Sequence, residues 1–536
     1  MAAERQSSTL LPPQPSYILR GHASQIHSVR FVRQNARLIT GDADGWVIYW
    51  KLETKRALAV WKAHDNAILG TAEWGHDKIL THGRDNSLRI WQIRTSDEIS
   101  LSTALPAEVA AADRPMPWLL HTLPVNTLNF CAFSMCHVHT QEETSNGLVA
   151  DDEPQPVCSR VQSAILVAVP ARDDKKVEVY QFPDERLKHV VPRAQSKDTG
   201  MVMAVKLVQQ SSKKPTTVIT GYEGGLTAVH ILPRNDDSSI GVARLVYLSQ
   251  PHTQPILSLD VSPDAKTYFT SGADAIIAAH LLPDLPPFEV EPTVAPSTGE
   301  EAEAESRVTA YTQSLDSASR NLGDVVNAGE EAKPSNEADP EHSDISTIDS
   351  TLSLQDSTCP PLTFTKLAVP APHTEPQQSA LKTGGLSSLL SSKPSHPISA
   401  RTVPPPTSPT IQVPHKINNT KHAGQQSLCV RSDGRLLATG GWDARVRIYS
   451  TKTLKEVAVL RWHKEGIYAV AFGEILDAGI IRRSADKHGD GKETGEVSRK
   501  ETGLNQLQRQ REEKMQVKHW VAAGAKDGKV SLWEVF

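Results

Sequence analysis

Residues 436–449 read L-L-A-T-G-G-W-D-A-R-V-R-I-Y. Two short runs suited to β-strands, 436–439 and 445–449, flank a tight polar turn that contains Asp443. The second run alternates charged with apolar side chains, as a strand with one buried face does. The stretch therefore predicts a β-hairpin.

The spacing within this hairpin recurs along the chain. A turn aspartate is followed six residues later by an aromatic side chain in five pairs: Asp44 with Trp50, Asp85 with Trp91, Asp174 with Tyr180, Asp443 with Tyr449, and Asp527 with Trp533. Two more segments keep the frame without the aromatic residue, one built around Asp274 and one around Gly224. Seven copies of one spacing predict seven structural repeats.

Two further positions recur relative to the turn residue. Four residues before it, five copies carry a threonine: Thr40, Thr81, Thr220, Thr270 and Thr439. A histidine stands 21 or 22 residues before it in four copies: His22, His64, His252 and His422. This order of histidine, threonine, aspartate and aromatic residue resembles the WD repeat, in which four β-strands form one propeller blade.

The resemblance to WD repeats covers residues 16–281 and 416–536. It implies that each turn aspartate orients the histidine, which in turn bonds the threonine and the aromatic side chain. We expect structural tetrads of this kind from His22, Thr40, Asp44 and Trp50, from His64, Thr81, Asp85 and Trp91, from His422, Thr439, Asp443 and Tyr449, and from Asp527 with Trp533. The predicted fold is an all-β, seven-bladed WD-repeat β-propeller, with blades 1 to 5 in residues 16–281 and blades 6 and 7 in 416–536.

The two ends of the chain predict how the ring closes. Residues 530–536 form a third strand with no fourth strand after them. Residues 16–20 are suited to a strand and can pair there, which removes the open sheet edges. Residues 1–15 are then expected to be a flexible N-terminus.

The repeat pattern disappears in residues 282–415. This segment holds 19 of the 36 prolines and no tryptophan, and residues 289–349 carry fifteen acidic residues against three basic ones. So few large apolar side chains cannot offset the entropy lost on ordering, which predicts a disordered, acidic, Pro/Ser-rich insertion. If residues 410–413 form the fourth strand of blade 5, this insertion projects from the side opposite the tetrad turns.

A second insertion, residues 474–518, lies between the first and second strands of the last blade. Its charged stretch 504–515 has the composition of a short helix. This insertion projects from the same side as the long one, so the tetrad side is expected to stay uncovered.

The residues that suggest catalysis or metal binding have simpler explanations. His22, Thr40 and Asp44 resemble a hydrolase triad with a threonine nucleophile, but near-copies in several repeats favour a structural network. Cys131, Cys136, His137 and His139 are metal-ligand types, yet their spacing matches no common zinc site. The sequence contains no phosphate-binding loop and no dinucleotide fingerprint. We therefore expect no enzyme activity, no metal and no cofactor.

The composition narrows the class of partner. The 57 lysines and arginines against 62 aspartates and glutamates give a net charge of -5, which offers no general basic surface for nucleic acid or membranes. Five cysteines without a C-x-x-C pair favour reduced thiols inside the cell. The N-terminus lacks the apolar core of a signal peptide, and no apolar run is long enough to span a bilayer.

Recognition is expected on the tetrad side. The residues directly before the turn position should lie near that surface, and four of them form the candidate interaction face: Arg84, Glu223, Trp442 and Lys526. Exposed tryptophan and arginine side chains are frequent anchors of protein interfaces. The alternative for Trp442 is that it only covers its own hairpin.

Four quoted stretches narrow the resemblance: L-A-T-G-G-W-D-A-R-V-R at 437–447, L-R-W-H at 460–463, A-A-G-A-K-D-G-K-V-S-L-W at 522–533, and L-R-G-H at 19–22. Together they resemble the fungal ASTRA-associated protein 1 family, which is similar also to an animal G-protein-β-like propeller. The resemblance implies a nuclear, non-enzymatic subunit of the ASTRA assembly, linked to chromatin regulation and to maturation of phosphatidylinositol-3-kinase-related kinases. It implies as partners telomere-maintenance cochaperone proteins, AAA+ helicases and a kinase-related chromatin subunit.

A substrate receptor of a cullin-type ubiquitin ligase is the alternative function. Such a receptor would need an acid after a blade tryptophan and a basic residue two positions further on. The segment W-Q-I-R at 91–94 supplies Arg94, but Gln92 replaces the acid. The sequence therefore favours the ASTRA scaffold.

Overall fold

The computed structural model describes residues 13–107, 114–127, 130–138, 164–194, 199–209, 214–234, 239–284, 410–481 and 503–535. Within these ranges the strands form seven sheets arranged as the blades of a β-propeller. The prediction of an all-β, seven-bladed propeller is therefore confirmed. Most of the segments 1–15 and 282–415 lie outside the described residues, so the expectations for them stay predictions.

The ring is closed by the two ends of the described chain. β1 (Tyr17–Arg20) runs antiparallel to β29 (Lys529–Glu534), with Leu19 opposite Val530. β28 (Trp520–Ala525) and β27 (Ile467–Phe472) complete this sheet, which is blade 7. The closing strand expected at residues 16–20 is present.

Blades 1 and 2 each consist of four consecutive strands, the first innermost and the last outermost. Blade 1 contains β2 (Ile26–Val32), β3 (Arg37–Asp42), β4 (Trp46–Lys51) and β5 (Arg56–Lys62). Blade 2 contains β6 (Ile68–Trp74), β7 (Lys78–Gly83), β8 (Ser87–Gln92) and β9 (Trp118–Pro124). In β3 and β7 every residue is buried, because neighbouring blades cover both faces of the second strand.

Blades 3 and 4 keep this order, with one addition. Blade 3 contains β10 (Ser134–His137), β11 (Ile165–Pro170), β12 (Val177–Phe182) and β13 (Arg186–Val191). Blade 4 contains β14 (Val202–Val208), β15 (Thr217–Tyr222), β16 (Thr227–Ile231) and β18 (Arg244–Ser249). The short β17 (Gly241–Val242), from the connection within blade 4, pairs parallel to β13 and covers the outer edge of blade 3.

Blade 5 is divided by the long insertion. It contains β19 (Ile256–Val261), β20 (Thr267–Gly272), β21 (Ile276–Leu281) and β22 (Lys416–Asn419). The expectation that residues 410–413 form the fourth strand is wrong. Gln412 instead forms an isolated bridge to Ser249 of blade 4, and its backbone N–H donates to the carbonyl of Leu248 at 2.7 Å. The polar sequence of β22 gave no hydrophobic signal, because this outermost strand is largely exposed.

Blade 6 contains β23 (Gln425–Val430), β24 (Leu436–Gly441), β25 (Arg445–Ser450) and β26 (Glu456–Arg461). The hairpin predicted at residues 436–449 is formed by β24 and β25. Outside the blades lie a 3₁₀ helix (Asp97–Ile99), a helical turn at residues 478–481 and the helix α1 (Gly503–Gln516). α1 includes the charged stretch 504–515, for which a helix was expected.

α1 contacts blade 1 at the turn between β2 and β3, which is the side opposite the tetrad turns. Glu512 forms an ion pair with Arg37 at 2.6 Å. The Gln516 side chain donates to the carbonyl of Gln34 at 3.0 Å, and the Asn35 side chain donates to the carbonyl of Gln516 at 2.9 Å. The described part of this insertion therefore leaves the tetrad side open.

Candidate functional site

The tetrad of blade 2 contains all four residues that the repeat pattern selected. His64 lies with Nδ1 2.8 Å from Asp85 and with Nε2 2.7 Å from the hydroxyl of Thr81, and Trp91 donates its indole N–H to that hydroxyl at 2.9 Å. Burial alone would raise the pKa of Asp85, but hydrogen bonds from His64 and Ser87 hold it well below its usual range. The network joins the loop before blade 2 to β7, to β8 and to the turn between these two strands.

Blade 1 has the same network with a different aspartate. His22 Nδ1 lies 2.7 Å from Asp42, and His22 Nε2 lies 2.7 Å from Thr40, to which Trp50 donates at 2.9 Å. The choice of Asp44 is therefore wrong. Asp42 is fully buried at the end of β3, whereas Asp44 lies in the turn and only its backbone N–H donates to Asp42, at 3.0 Å.

The position of Asp42 corresponds to Gly83 in blade 2. A Cβ at Gly83 would collide with the ring of His64, so in blade 2 as well this position lies against the histidine. A carboxylate can therefore reach the histidine from either of two positions, the end of the second strand or the turn after it. The six-residue spacing identified only the second.

Blade 6 lacks the predicted tetrad. His422 is exposed, and Thr439 donates instead to the side-chain oxygen of Gln425 at 2.6 Å. Asp443 forms a two-point ion pair with Arg447, at 3.0 Å and 2.5 Å. Burial would raise the pKa of Asp443, but Arg447 holds it below its usual value. The arginine of the third strand thus takes the aspartate that the pattern assigned to the histidine.

In blade 7 the hydroxyl of the tetrad comes from the third strand of the blade and not from the second. His463 Nε2 lies 2.8 Å from the hydroxyl of Ser531, and Trp533 donates to the same oxygen at 2.8 Å. Asp527 lies 3.7 Å from His463 Nδ1. Ser531 of β29 is directly opposite Ala523 of β28, the position that carries threonine elsewhere. The sequence pattern missed Ser531 because it looked for the hydroxyl on one strand only.

Blade 5 contains a further network, which is not among the tetrads expected from the sequence. His252 bridges Asp274 and Thr270, both at 2.9 Å. His280 occupies the aromatic position and its ring stacks on Tyr268 at 4.5 Å between centroids. In blade 4 the corresponding histidine is the buried His230.

The triad-like set His22, Thr40 and Asp42 is an internal network. Thr40 is fully buried, and its oxygen lies between the ring of His22 and the indole N–H of Trp50. A nucleophile needs access to its substrate, and this hydroxyl has none. The arrangement therefore positions β2, β3 and β4 and offers no reacting atom.

The cysteines considered for metal binding lie in and before β10. Burial raises the pKa of Cys136 to about 12 and that of Cys131 further, so both thiols stay protonated at neutral pH. His139 lies outside the described residues. Across the described ranges, no group of three or more histidine, cysteine, aspartate or glutamate side chains has a metal-site arrangement. None of the helices described is long and apolar enough to cross a membrane.

The four residues of the candidate interaction face lie on turns of four different blades. Glu223 and Lys526 are exposed, and Arg84 is partly exposed with its guanidinium 4.3 Å from the centroid of the Phe130 ring. The turns are on one side of the propeller, but these side chains are distributed around its rim. Phe130, which is 59% exposed, was not identified from the sequence because it belongs to no repeat.

Trp442 is both exposed and fixed. Its side chain is 49% exposed, and its indole N–H donates to the side-chain oxygen of Gln426 at 2.9 Å. A Cβ at Gly424 would collide with the indole ring, so the ring lies directly on this glycine, whose φ is 75°. Trp442 therefore combines features of both alternatives considered for it. Its ring packs on the loop before its blade, and the other face of the ring stays exposed to a partner.

Phe130 and Trp442 line the same central cavity. The cavity has a volume of about 610 Å³ and is surrounded by the innermost strands of the blades. Its size is in the range of ligand-binding clefts. The lining includes the cations Arg30 and Lys206 and apolar side chains such as Met203.

Comparisons with known proteins identify the family. The family model described as ASTRA-associated protein 1 matches residues 15–533. The chain is 37% identical to ASTRA-associated protein 1 of Pyricularia oryzae over 99% of both chains. It is 35% identical to the Verticillium alfalfae protein of that name, over 98% of this chain and 93% of the other, and 25% identical to the Schizosaccharomyces pombe one, over 86% and 94%. The chain belongs to the ASTRA-associated protein 1 family.

Proposed function

We propose that this chain is a non-catalytic scaffold that joins the ASTRA assembly through the tetrad side of its propeller. The name shared by its relatives supports the association with that assembly. Trp442 is the observation that carries the choice of surface. An aromatic side chain held by a hydrogen bond and a glycine, yet half exposed, loses little conformational entropy when a partner covers it.

The structural networks support a scaffold rather than an enzyme. The histidines of the tetrads are bound to aspartates and hydroxyls inside the propeller, as His22 is to the buried Asp42 and His64 to the partly buried Asp85. The tetrad of blade 2 fixes the turn that carries Arg84, and the ion pair between Asp443 and Arg447 fixes the turn that carries Trp442. A rigid ring of turns can present side chains from several blades to one partner without first ordering them.

The finer assignment follows from the family. We propose a nuclear protein that contributes to chromatin regulation and to maturation of phosphatidylinositol-3-kinase-related kinases. Its partners would be telomere-maintenance cochaperone proteins, AAA+ helicases and a kinase-related chromatin subunit. Direct contacts with nucleic acid or membranes are not part of the proposal, because the net charge of -5 favours neither.

Affinity purification from the native organism tests the surface. We expect the tagged full chain to recover ASTRA subunits, and Trp442→Ala and Arg84→Ala to lose at least part of that set. Trp118→Ala is the matched control, because Trp118 is 74% exposed on the outermost strand of blade 2, away from the tetrad turns. If both rim variants recover every partner at the wild-type level, the proposed surface is wrong.

Two further measurements complete this test. Thermal unfolding of each variant must match the wild type, so that a lost partner reflects the surface and not the fold. Imaging of a fluorescent fusion at native expression tests the location, and an exclusively cytoplasmic signal would contradict it.

A further inference from the structure

The central cavity has an uneven charge. Its lining contains Arg30 and Lys206 and no aspartate or glutamate among the residues that surround it in the described chain. Lys206 is neutralised by Asp260 at 2.7 Å, and Asp260 is held in place because its other oxygen accepts the backbone N–H of Val430 at 2.8 Å. One of the two cations is therefore already compensated.

Arg30 is not compensated in this way. It is exposed on β2, and within the described ranges no carboxylate forms an ion pair with it. Glu73 on the neighbouring blade accepts two hydrogen bonds from the backbone N–H of Arg33, both at 3.1 Å, and its carboxylate lies 3.5 Å from the Arg33 guanidinium. Glu73 also interacts electrostatically with Arg30, but its direct contacts are with Arg33. Arg30 is thus the cation of the cavity that has no direct ion pair within the described ranges.

A second positive group, Arg84, lies on the tetrad side of the propeller. Arg84 stacks on Phe130 and, like Arg30, has no ion pair with any described carboxylate. Next to it, His27 packs edge to face on Tyr468 with 5.8 Å between ring centroids. Burial lowers the pKa of His27 below its ordinary value; the charge of Asp42 opposes this effect and that of Arg84 adds to it.

The remaining walls are apolar and aromatic. Phe130 and Trp442 lie on opposite sides of the ring, the first between blades 2 and 3 and the second on blade 6. Between them the lining includes Met135, Met203 and Leu259. A ligand that fits must combine apolar groups for these walls with a negative charge for the guanidinium of Arg30.

We propose that this cavity binds an extended peptide segment that carries an anionic side chain between apolar residues. The anionic group pairs with Arg30, and the flanking residues pack on Phe130 and Trp442. The inference deepens the proposed scaffold function and rests on it, because it names the chemistry of the partner segment. Aspartate, glutamate and phosphoserine share the required charge, and an arginine guanidinium pairs with carboxylate and phosphate alike.

A pooled peptide library on the immobilised full chain tests this inference. The nine-residue peptides have a central aspartate, phosphoserine, asparagine or lysine, and flanks randomised over leucine, phenylalanine, methionine and serine. We expect aspartate or phosphoserine peptides to be retained at least tenfold over those with asparagine or lysine, as quantified by mass spectrometry. The ratio of the two anionic sets identifies which charge the site prefers.

Variants assign the selectivity to its residue. Arg30→Gln should bring the ratio of anionic to asparagine peptides close to one, and Arg30→Lys should keep part of it. Arg244→Gln is the matched control, because Arg244 is exposed on the outermost strand of blade 4. Trp442→Ala should lower retention of all peptides at least fivefold without changing the ratio.

Two results would overturn the inference. One is equal retention of the four peptide sets by the wild-type chain, and the other is unchanged selectivity in a folded Arg30→Gln variant. If Arg30→Gln does not fold, the test rests on Trp442→Ala. Unchanged peptide retention by Trp442→Ala would then refute the proposed site. Failure of the peptide selection while Trp442→Ala still loses ASTRA subunits would refute this inference alone. Selective peptide binding by a chain that recovers no ASTRA subunit would refute only the proposed function.

Discussion

Asp42 accepts a hydrogen bond from the ring of His22 at 2.7 Å, and both side chains are buried. His22 lies in the connection from β1, the outermost strand of blade 7, to β2 of blade 1. The bond therefore links the closure of the ring to the second strand of the first blade. Its acceptor is two residues away from the aspartate that the repeat spacing selected.

The two aspartates should differ strongly in their effect on stability. Asp42→Asn removes the charge that His22 and the backbone N–H of Trp46 contact, at 2.7 Å and 2.9 Å. We expect it to lower the free energy of unfolding by about 2 kcal/mol, whereas Asp44→Asn should change it by less than about 0.5 kcal/mol. Urea unfolding of the full chain measures both. Equal effects would refute the assignment.

The indole of Trp50 should make one of the larger contributions to stability. The ring is buried in the core of blade 1 and donates to Thr40 at 2.9 Å. Trp50→Ala is expected to lower the unfolding free energy by about 3 to 5 kcal/mol. The exposed Trp118→Ala serves as control and should stay within about 0.5 kcal/mol of wild type. A loss below about 1 kcal/mol for Trp50→Ala would contradict its place in the core.

Ser531 should behave as a member of a tetrad. Ser531→Ala leaves the buried indole N–H of Trp533 and the ring of His463 without their shared oxygen. Leaving a buried donor unpaired costs about 1 to 3 kcal/mol, and we expect a loss in that range. The same change at the exposed Ser96 should be close to neutral. Chemical denaturation of the two variants side by side checks this, and indistinguishable curves would exclude the role.

The buried His230 predicts a stability that decreases in mild acid. Burial lowers its pKa to about 4, and neither ring nitrogen has a hydrogen-bond partner among the described residues. The unfolded chain binds a proton below its ordinary pKa of about 6.5, whereas the folded chain does not until about pH 4. Stability from this group is therefore complete above pH 6.5 and falls between pH 6.5 and 4.

His230→Leu should remove that part of the pH dependence. At pH 5 the loss of unfolding free energy attributable to His230 is about 2 kcal/mol. The unfolding free energy of the variant minus that of the wild type should therefore be larger at pH 5 than at pH 7 by roughly this amount. Urea midpoints of both proteins at pH 7, 6 and 5 measure the difference. Parallel pH curves for the two proteins would show that His230 does not titrate as expected.

The closing strand should be necessary for a stable ring. Deletion of residues 1–21 removes β1 and exposes the edge of β29, with its unpaired backbone groups. We expect a poorly folded product with low soluble yield. Deletion of residues 1–12 leaves β1 in place and should keep the wild-type melting temperature. A soluble 1–21 deletion that melts like the wild type would contradict the closure.

The sequence allowed the blades to be predicted because the same spacing recurs. The turn after the second strand and the aromatic residue on the third have fixed positions in the hairpin, so Asp85 and Trp91 could be placed without the structure. Spacing does not specify which of two aspartates points inward. Asp42 lies at the end of β3 and points inward, whereas Asp44 lies in the turn and is exposed, and this difference is set by the pleat of β3 and the turn that follows it.

Cross-strand exchange explains the remaining differences. Ser531 supplies its hydroxyl from the strand facing Ala523, because cross-strand neighbours place their side chains at the same point in space. Arg447 lies on the strand that follows the turn and binds Asp443, which therefore does not contact a histidine in blade 6. The cavity could not be predicted at all, since Arg30 and Phe130 belong to no repeated position and meet only when the ring closes.

The insertion in blade 5 begins and ends at paired strands. Ala279 of β21 is opposite Lys416 of β22, so the two ends of the long segment emerge from one sheet. Lengthening a loop between fixed ends costs only about 0.6 kcal/mol for each doubling, so its length is weakly constrained. A cut within it would leave two fragments that meet at β21 with β22 and again at β1 with β29. Each of the two fragments would thus carry one of the two partner strands at both of these junctions.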